Sequence, residues 1–116
     1  MEKYIKLFEP SYNDLKDSVN FIKEIDVSNT QEINSHAVDF LNIFALVAVG
    51  FTWLEFISIS LNKIENKDDD FYFSKIQLGD FYLTKVIFET QKFKNNIYSS
   101  GKLYNEFEDK FFEAGI

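Results

Sequence analysis

An all-α fold is what this 116-residue chain predicts, and three observations carry the prediction. Proline occurs once and glycine four times, so the turn punctuation of β structure is missing. Apolar residues recur at intervals of three and four over long stretches, which places them on one side of a helix. The run from Ile43 to Leu54 is almost wholly apolar, and it reads as a helix buried on most sides. The arrangement expected is an antiparallel four-helix bundle with two long central helices, in one domain over residues 1–116.

The first helix is expected after Pro10, with Ser11 as its cap. Tyr12, Leu15, Val19 and Ile22 then form its apolar face. Tyr4, Ile5, Leu7 and Phe8 precede the proline and read as a separate short turn. Asp26 to Thr30 reads as a loop. Asn29 and Glu32 have the spacing of a capping box, which starts the second helix near Thr30 and carries it to about Lys63. Its expected stripe is Ile33, Ala37, Leu41, Phe44, Val47, Phe51, Leu54 and Ile57. Gly50 within it is expected to admit another backbone, with Ala45 and Ala48 on nearby turns.

Asp68, Asp69 and Asp70 precede the next apolar run and read as capping carboxylates. The third helix is expected from Phe71 to Ser99, with a seam of Tyr72, Ile76, Gly79, Leu83, Val86, Thr90, Phe93 and Ile97. Gly101 reads as its stop signal. Leu103, Tyr104, Phe107 and Phe111 give a short fourth helix.

Twelve basic and nineteen acidic side chains leave a formal net charge of −7. No cluster of cations stands out, so neither nucleic acid nor an anionic membrane is an expected partner. The apolar run is shorter than the roughly 20 residues that a bilayer span needs. No leader of secretory type is visible, and cysteine is absent, which together favour a cytoplasmic setting.

Catalytic signatures are sparse. His36 is the one histidine, next to Ser35, with no orienting partner in sequence; it reads as a surface or partly buried side chain. One histidine without cysteine cannot supply a usual zinc set. Ser99-Ser-Gly-Lys102 lacks the upstream glycine of a phosphate loop, and no dinucleotide fingerprint is present. Glu55 reads as a carboxylate on the polar edge of the second helix. No cofactor is therefore expected.

Two stretches resemble a known family. Val47-Ala-Val-Gly50-Phe-Thr-Trp53 is similar to the small-residue, Gly-aromatic-x-Trp helix of the extra C-terminal domain carried by some acyl-CoA dehydrogenases. Phe71-Tyr72, Lys75 and Phe81-Tyr82 resemble the helix that follows it there. Gly50, Trp53, Lys75, Phe81 and Tyr82 are thus the positions matching that domain's helix-packing motif, and the resemblance is strongest over residues 36–112. The chain departs from the family at Leu78-Gly79-Asp80, where Thr-Ala-Arg is frequent, and at Val86-Ile87-Phe88, where a proline is common.

The resemblance implies a helical domain whose parent enzymes hold flavin, acyl-CoA and the catalytic carboxylate mainly in preceding domains. A free-standing copy is expected to be a non-catalytic interaction module, or an accessory subunit of a separately encoded acyl-CoA dehydrogenase. The alternatives are a bundle that binds an apolar acyl chain and one subunit of a split dehydrogenase. Fourteen Phe, six Tyr and one Trp exceed what one seam can bury. Phe40, Phe56, Phe73, Phe81 and Phe88 lie off the main seams and are the expected surface of a homodimer.

Overall fold

The first helix begins at the chain's second residue and passes straight through its proline. In the computed structural model, which describes residues 1–64 and 70–99, α1 spans Glu2–Lys23 with Pro10 inside it. The expected break is absent. Proline removes one backbone donor and frees the carbonyl four residues earlier, on Lys6. Pro10 and Lys6 both face solvent, so water can satisfy that carbonyl and the helix continues.

The inward face of α1 is also not the expected one. Tyr12 and Val19 are half exposed, at 51% and 41%, while Ser11 and Ser18 are buried. The true line is Tyr4, Leu7, Ser11, Asp14, Ser18 and Phe21, again at threes and fours. Polar residues hold its centre because each is hydrogen-bonded, the two serines within α1 itself. The Ser11 hydroxyl donates to the Phe8 carbonyl at 2.6 Å, and that of Ser18 to the Asp14 carbonyl at 2.7 Å.

The capping signal at Asn29 holds. Its side-chain oxygen accepts from the Glu32 amide at 3.2 Å, and its amide nitrogen donates to the Glu32 carboxylate at 2.9 Å. The helix so started is short: α2 covers Thr30–Ser35, and α3 covers Ala37–Lys63. His36 lies between them at φ −94°, ψ −7°. Its imidazole is fully buried, against the edge of Phe21 at a ring separation of 5.8 Å. The single long helix expected from Thr30 is therefore interrupted where this ring turns into the core.

The face of α3 that packs inward is Phe40, Ile43, Val47, Gly50, Leu54 and Ile57. Leu41, Phe44 and Phe51 of the expected stripe are 64%, 52% and 55% exposed. A helix apolar on nearly every side has no amphipathic phase to read, so composition alone could not orient it. The expectation that α3 is buried on most sides fails for the same face. As a 27-residue helix it is, by length and composition, capable of crossing a membrane, which the shorter apolar run within it is not.

The helix α4 spans Asp70–Phe81, so Asp70 does stand at a helix start; Asp68 and Asp69 lie outside the described residues. The chain then makes a π-helical turn at Tyr82–Val86, and helix resumes over 89–99 as α5. The Ile87 amide reaches five residues back to the Tyr82 carbonyl at 3.0 Å. This wider turn rotates the following residues. Ile87, not Val86, therefore joins Leu83 in the core at 1% exposure. Thr90 and Ile97 keep the inward positions expected of them. Gly101 and the expected fourth helix lie outside the described residues.

Two clusters make the interior. Ile43, Val47 and Ile97 are packed by Leu15, Phe21, Phe40 and Phe93; Ile57, Leu83 and Ile87 are packed by Tyr4, Leu7, Leu54 and Tyr82. Phe8 belongs to both and joins them. All regular structure among the described residues is helical.

Candidate interaction surfaces

Gly50 is buried in α3 where α1 and the π-helical turn converge. A Cβ there would stand 2.5 Å from the Ile87 Cδ1 atom and 3.2 Å from the Phe8 ring. Glycine is thus required for close approach, but of side chains and not of a second backbone as expected. Ala45 and Ala48 play no part in this contact and face outward.

Trp53 serves a different glycine. A Cβ on Gly79 would meet Ile57 at 2.6 and 2.8 Å and the Trp53 ring at 3.2 Å. Trp53 also meets the Phe56 ring edge-on at 5.8 Å. Tyr82 is half-buried, and its hydroxyl donates to the Leu46 carbonyl at 2.6 Å. Lys75 places its ammonium 5.3 Å from the Phe71 ring centre, while Phe81 is 59% exposed. The motif positions therefore do not converge on one site. Gly50, Trp53 and Tyr82 hold α3 against the α4 region at separate levels, and Lys75 and Phe81 lie on the surface of α4.

Of the five residues expected at an interface, Phe40 is not available. It packs into the Ile43–Val47–Ile97 cluster. Phe56, Phe73, Phe81 and Phe88 are 47–59% exposed. A second exposed set lies along α3, where Leu41, Phe44, Val49, Phe51 and Ile59 are 46–64% exposed. Glu55 stands on that face, in water as expected.

Two open apolar clefts flank α3. One holds about 490 Å³ between α1 and α3 and is bounded by Tyr12, Leu15, Phe44 and Phe51. The other, of about 390 Å³, lies over Leu46, Val49, Tyr82 and Phe93.

Buried polar groups are where the sequence reading missed most. Asp14 accepts from the Thr90 hydroxyl at 2.9 Å and from Lys94 at 3.4 Å; Lys94 also meets Asp17 at 3.0 Å. The hydrogen bond to Asp17 is the main reason the Lys94 ammonium holds its proton above the ordinary lysine range. The signal was the recurrence of Ser11, Asp14 and Ser18 at intervals of three and four, one residue off the apolar face expected from Tyr12, Leu15, Val19 and Ile22. His36 is the converse case. Both ring nitrogens are buried without a hydrogen-bond partner among the described residues. Burial pushes its pKa below the ordinary value of 6.5, against the opposing pull of Glu32 and Asp39. Among the described residues, no group of three or more His, Cys, Asp or Glu side chains could hold a metal ion.

Glycine-seated helix contacts and a broad apolar exterior define a helical packing domain. The chain belongs to the family described as acetyl-CoA dehydrogenase C-terminal like, whose model it matches over residues 1–107. The match takes in α1, upstream of the segment that carries the motif resemblance. No curated protein and no solved structure matches the chain.

Proposed function

We propose that this protein is a non-catalytic helical interaction module that works by self-association or by docking to a separately encoded acyl-CoA dehydrogenase. The observation that carries the reading is the amount of aromatic and aliphatic surface left outside on α3 and α4. Apolar patches of that kind mark interfaces. Membership of a dehydrogenase-associated family makes such an enzyme a reasonable partner.

The fold behind this reading is an antiparallel four-helix bundle. Its support is the order of contacts: Ile57 meets Gly79, Gly50 meets Ile87, and Ile43 clusters with Ile97. The proposed setting is the cytoplasm, with no resident cofactor, nucleic acid or membrane.

Light scattering of the purified chain at micromolar concentration tests association, and co-elution with a flavin-containing acyl-CoA dehydrogenase tests docking. A 13.7 kDa monomer that binds neither itself nor such an enzyme overturns the proposal. Flavin binding and acyl-CoA oxidation by the chain alone would replace it with an enzymatic reading. The two apolar clefts favour one alternative, retention of an acyl chain. Fatty acid extracted in stoichiometric amount from the purified protein would favour it.

A further inference from the structure

We propose that the segment from Glu24 to Ser35 is an acid-released flap, latched by the neutral ring of His36, which swings open when that ring takes up a proton while α1, α3 and α5 stay folded. The inference concerns regulation within one chain and does not depend on the association reading above.

The segment puts little into the core. Among the described residues from 24 to 39, Glu32 and His36 alone are buried. Every other side chain from Glu24 to Ser35 is at least partly exposed. The six residues of α2 fall well short of the roughly 12–15 that a helix needs to persist by itself, so its order comes from what ties it down. Its printed ties are mostly internal: Asn29 and Glu32 cap each other, and the Ser35 hydroxyl donates to the Glu32 carbonyl at 2.6 Å. The deep anchor is His36, fully buried at the end of α2.

That anchor is the one the site holds least well once charged. The buried groups Ser11, Ser18, Glu32 and Thr90 have hydrogen-bond partners. Both nitrogens of His36 have none among the described residues. A neutral ring tolerates this for the sake of its apolar contact with Phe21; an imidazolium adds a charge and a second donor. Glu32 on α2 and Asp39 on α3 attract that charge, but burial outweighs them. The Glu32 carboxylate is already engaged by the Asn29 side chain at 2.9 Å. From α1 the ring meets Phe21, and Lys23 and Glu24 at that helix end are exposed. Behind Phe21 stands Tyr98 of α5, 4.7 Å away, with Lys94 over its ring and bound to Asp14 and Asp17. No carboxylate hydrogen-bonds the ring, so the imidazolium gains most by leaving for water.

The backbone allows that exit. His36 lies between α2 and α3, and rotation about this residue carries α2 outward without breaking α3. Opening uncovers Phe21 and, with it, the Ile43–Val47–Ile97 cluster on which it packs. Above pH 6.5 the ring is neutral whether the flap is open or closed, and closure is at full strength. Below that value the open form binds a proton that the closed form resists, so opening gains up to about tenfold per pH unit.

Hydrogen exchange of the full chain, followed by NMR and corrected for intrinsic rates, tests this. The amides of Ile33 and His36, bonded to the Asn29 and Ile33 carbonyls, are compared with those of Gly50 and Ile57. From pH 7.5 to 5 the opening constant at Ile33 and His36 is expected to rise by up to roughly thirtyfold. It is expected to ignore low urea, as local opening does, while Gly50 and Ile57 stay more protected and follow urea. In His36→Phe, which fills the site without a titrating group, the pH dependence is expected to vanish. Should circular dichroism show that variant unfolded, the ring protons of wild-type His36 decide, since they must titrate together with the exchange at Ile33. Ile33 and His36 sharing the protection and urea dependence of Gly50 and Ile57 would make His36 a core residue released only by global unfolding, and overturns the flap. A pH-independent Ile33, a pH dependence that survives in folded His36→Phe, or a His36 titration that does not track the exchange overturns the latch.

Discussion

The Tyr82 hydroxyl donates a 2.6 Å hydrogen bond to the Leu46 carbonyl, joining residues 36 positions apart. Tyr82 is also the first residue of the π-helical turn. Its ring is thus anchored on α3 where the following backbone widens, and the widening turns Ile87 toward Gly50. Burial raises the Tyr82 hydroxyl above its ordinary pKa, keeping it a donor at neutral pH. Tyr82→Phe should cost about 1 kcal/mol, the net worth of one such bond. Denaturant unfolding checks it; no change in midpoint would mean that the bond does not hold α3 to this turn.

Gly50→Leu should destabilise by about 1–3 kcal/mol through overpacking, because Ile87 and Phe8 already fill the space a side chain would need. Gly79→Ala should also destabilise. An alanine gains up to about 1 kcal/mol in helix propensity, but the new Cβ would meet two atoms of Ile57, which is fully buried and cannot withdraw. Melting temperatures of the two variants decide this; a stabilised Gly79→Ala would show that Ile57 can move.

Asp14→Ala should cost about 1–3 kcal/mol. The substitution leaves the buried Thr90 hydroxyl without its acceptor and removes one of the two carboxylates at Lys94. Thr90→Val in the same background should recover part of the loss, since it removes the orphaned hydroxyl. Additive losses in a double-mutant cycle would contradict the direct contact.

His36 should make stability pH-dependent. Its folded pKa lies below the ordinary 6.5, chiefly because burial disfavours the imidazolium. Above pH 6.5 the ring is neutral folded or unfolded, and its contribution is fully present. As pH falls below that value the unfolded chain takes up a proton that the folded chain resists, so stability is lost. Glu32 and Asp39 moderate the loss by attracting the imidazolium. His36→Phe should flatten this part of the profile, leaving only the titration of carboxylates at lower pH. Unfolding midpoints measured from pH 7.5 to 5 provide the check; identical slopes for the two proteins would count against a neutral buried ring.

By itself the sequence determined the helical class of the described residues. The threes and fours of its apolar pattern set the helical class, and Asn29 with Glu32 set the start of α2. Gly50 and Trp53 marked the family. Rotation and partnership were decided only by the tertiary structure. A chain so rich in phenylalanine offers several apolar faces on α3, and only competition among α1, α4 and α5 for that helix selects Ile43, Val47 and Ile57 over Leu41, Phe44 and Phe51. Ser11, Asp14 and Ser18 occupy an inward line because their hydrogen bonds are met within α1 and at Thr90 and Lys94, which no local pattern records. The break at His36 and the wide turn at Tyr82 arise from contacts between segments distant in sequence, with Phe21 for the first and Leu46 for the second.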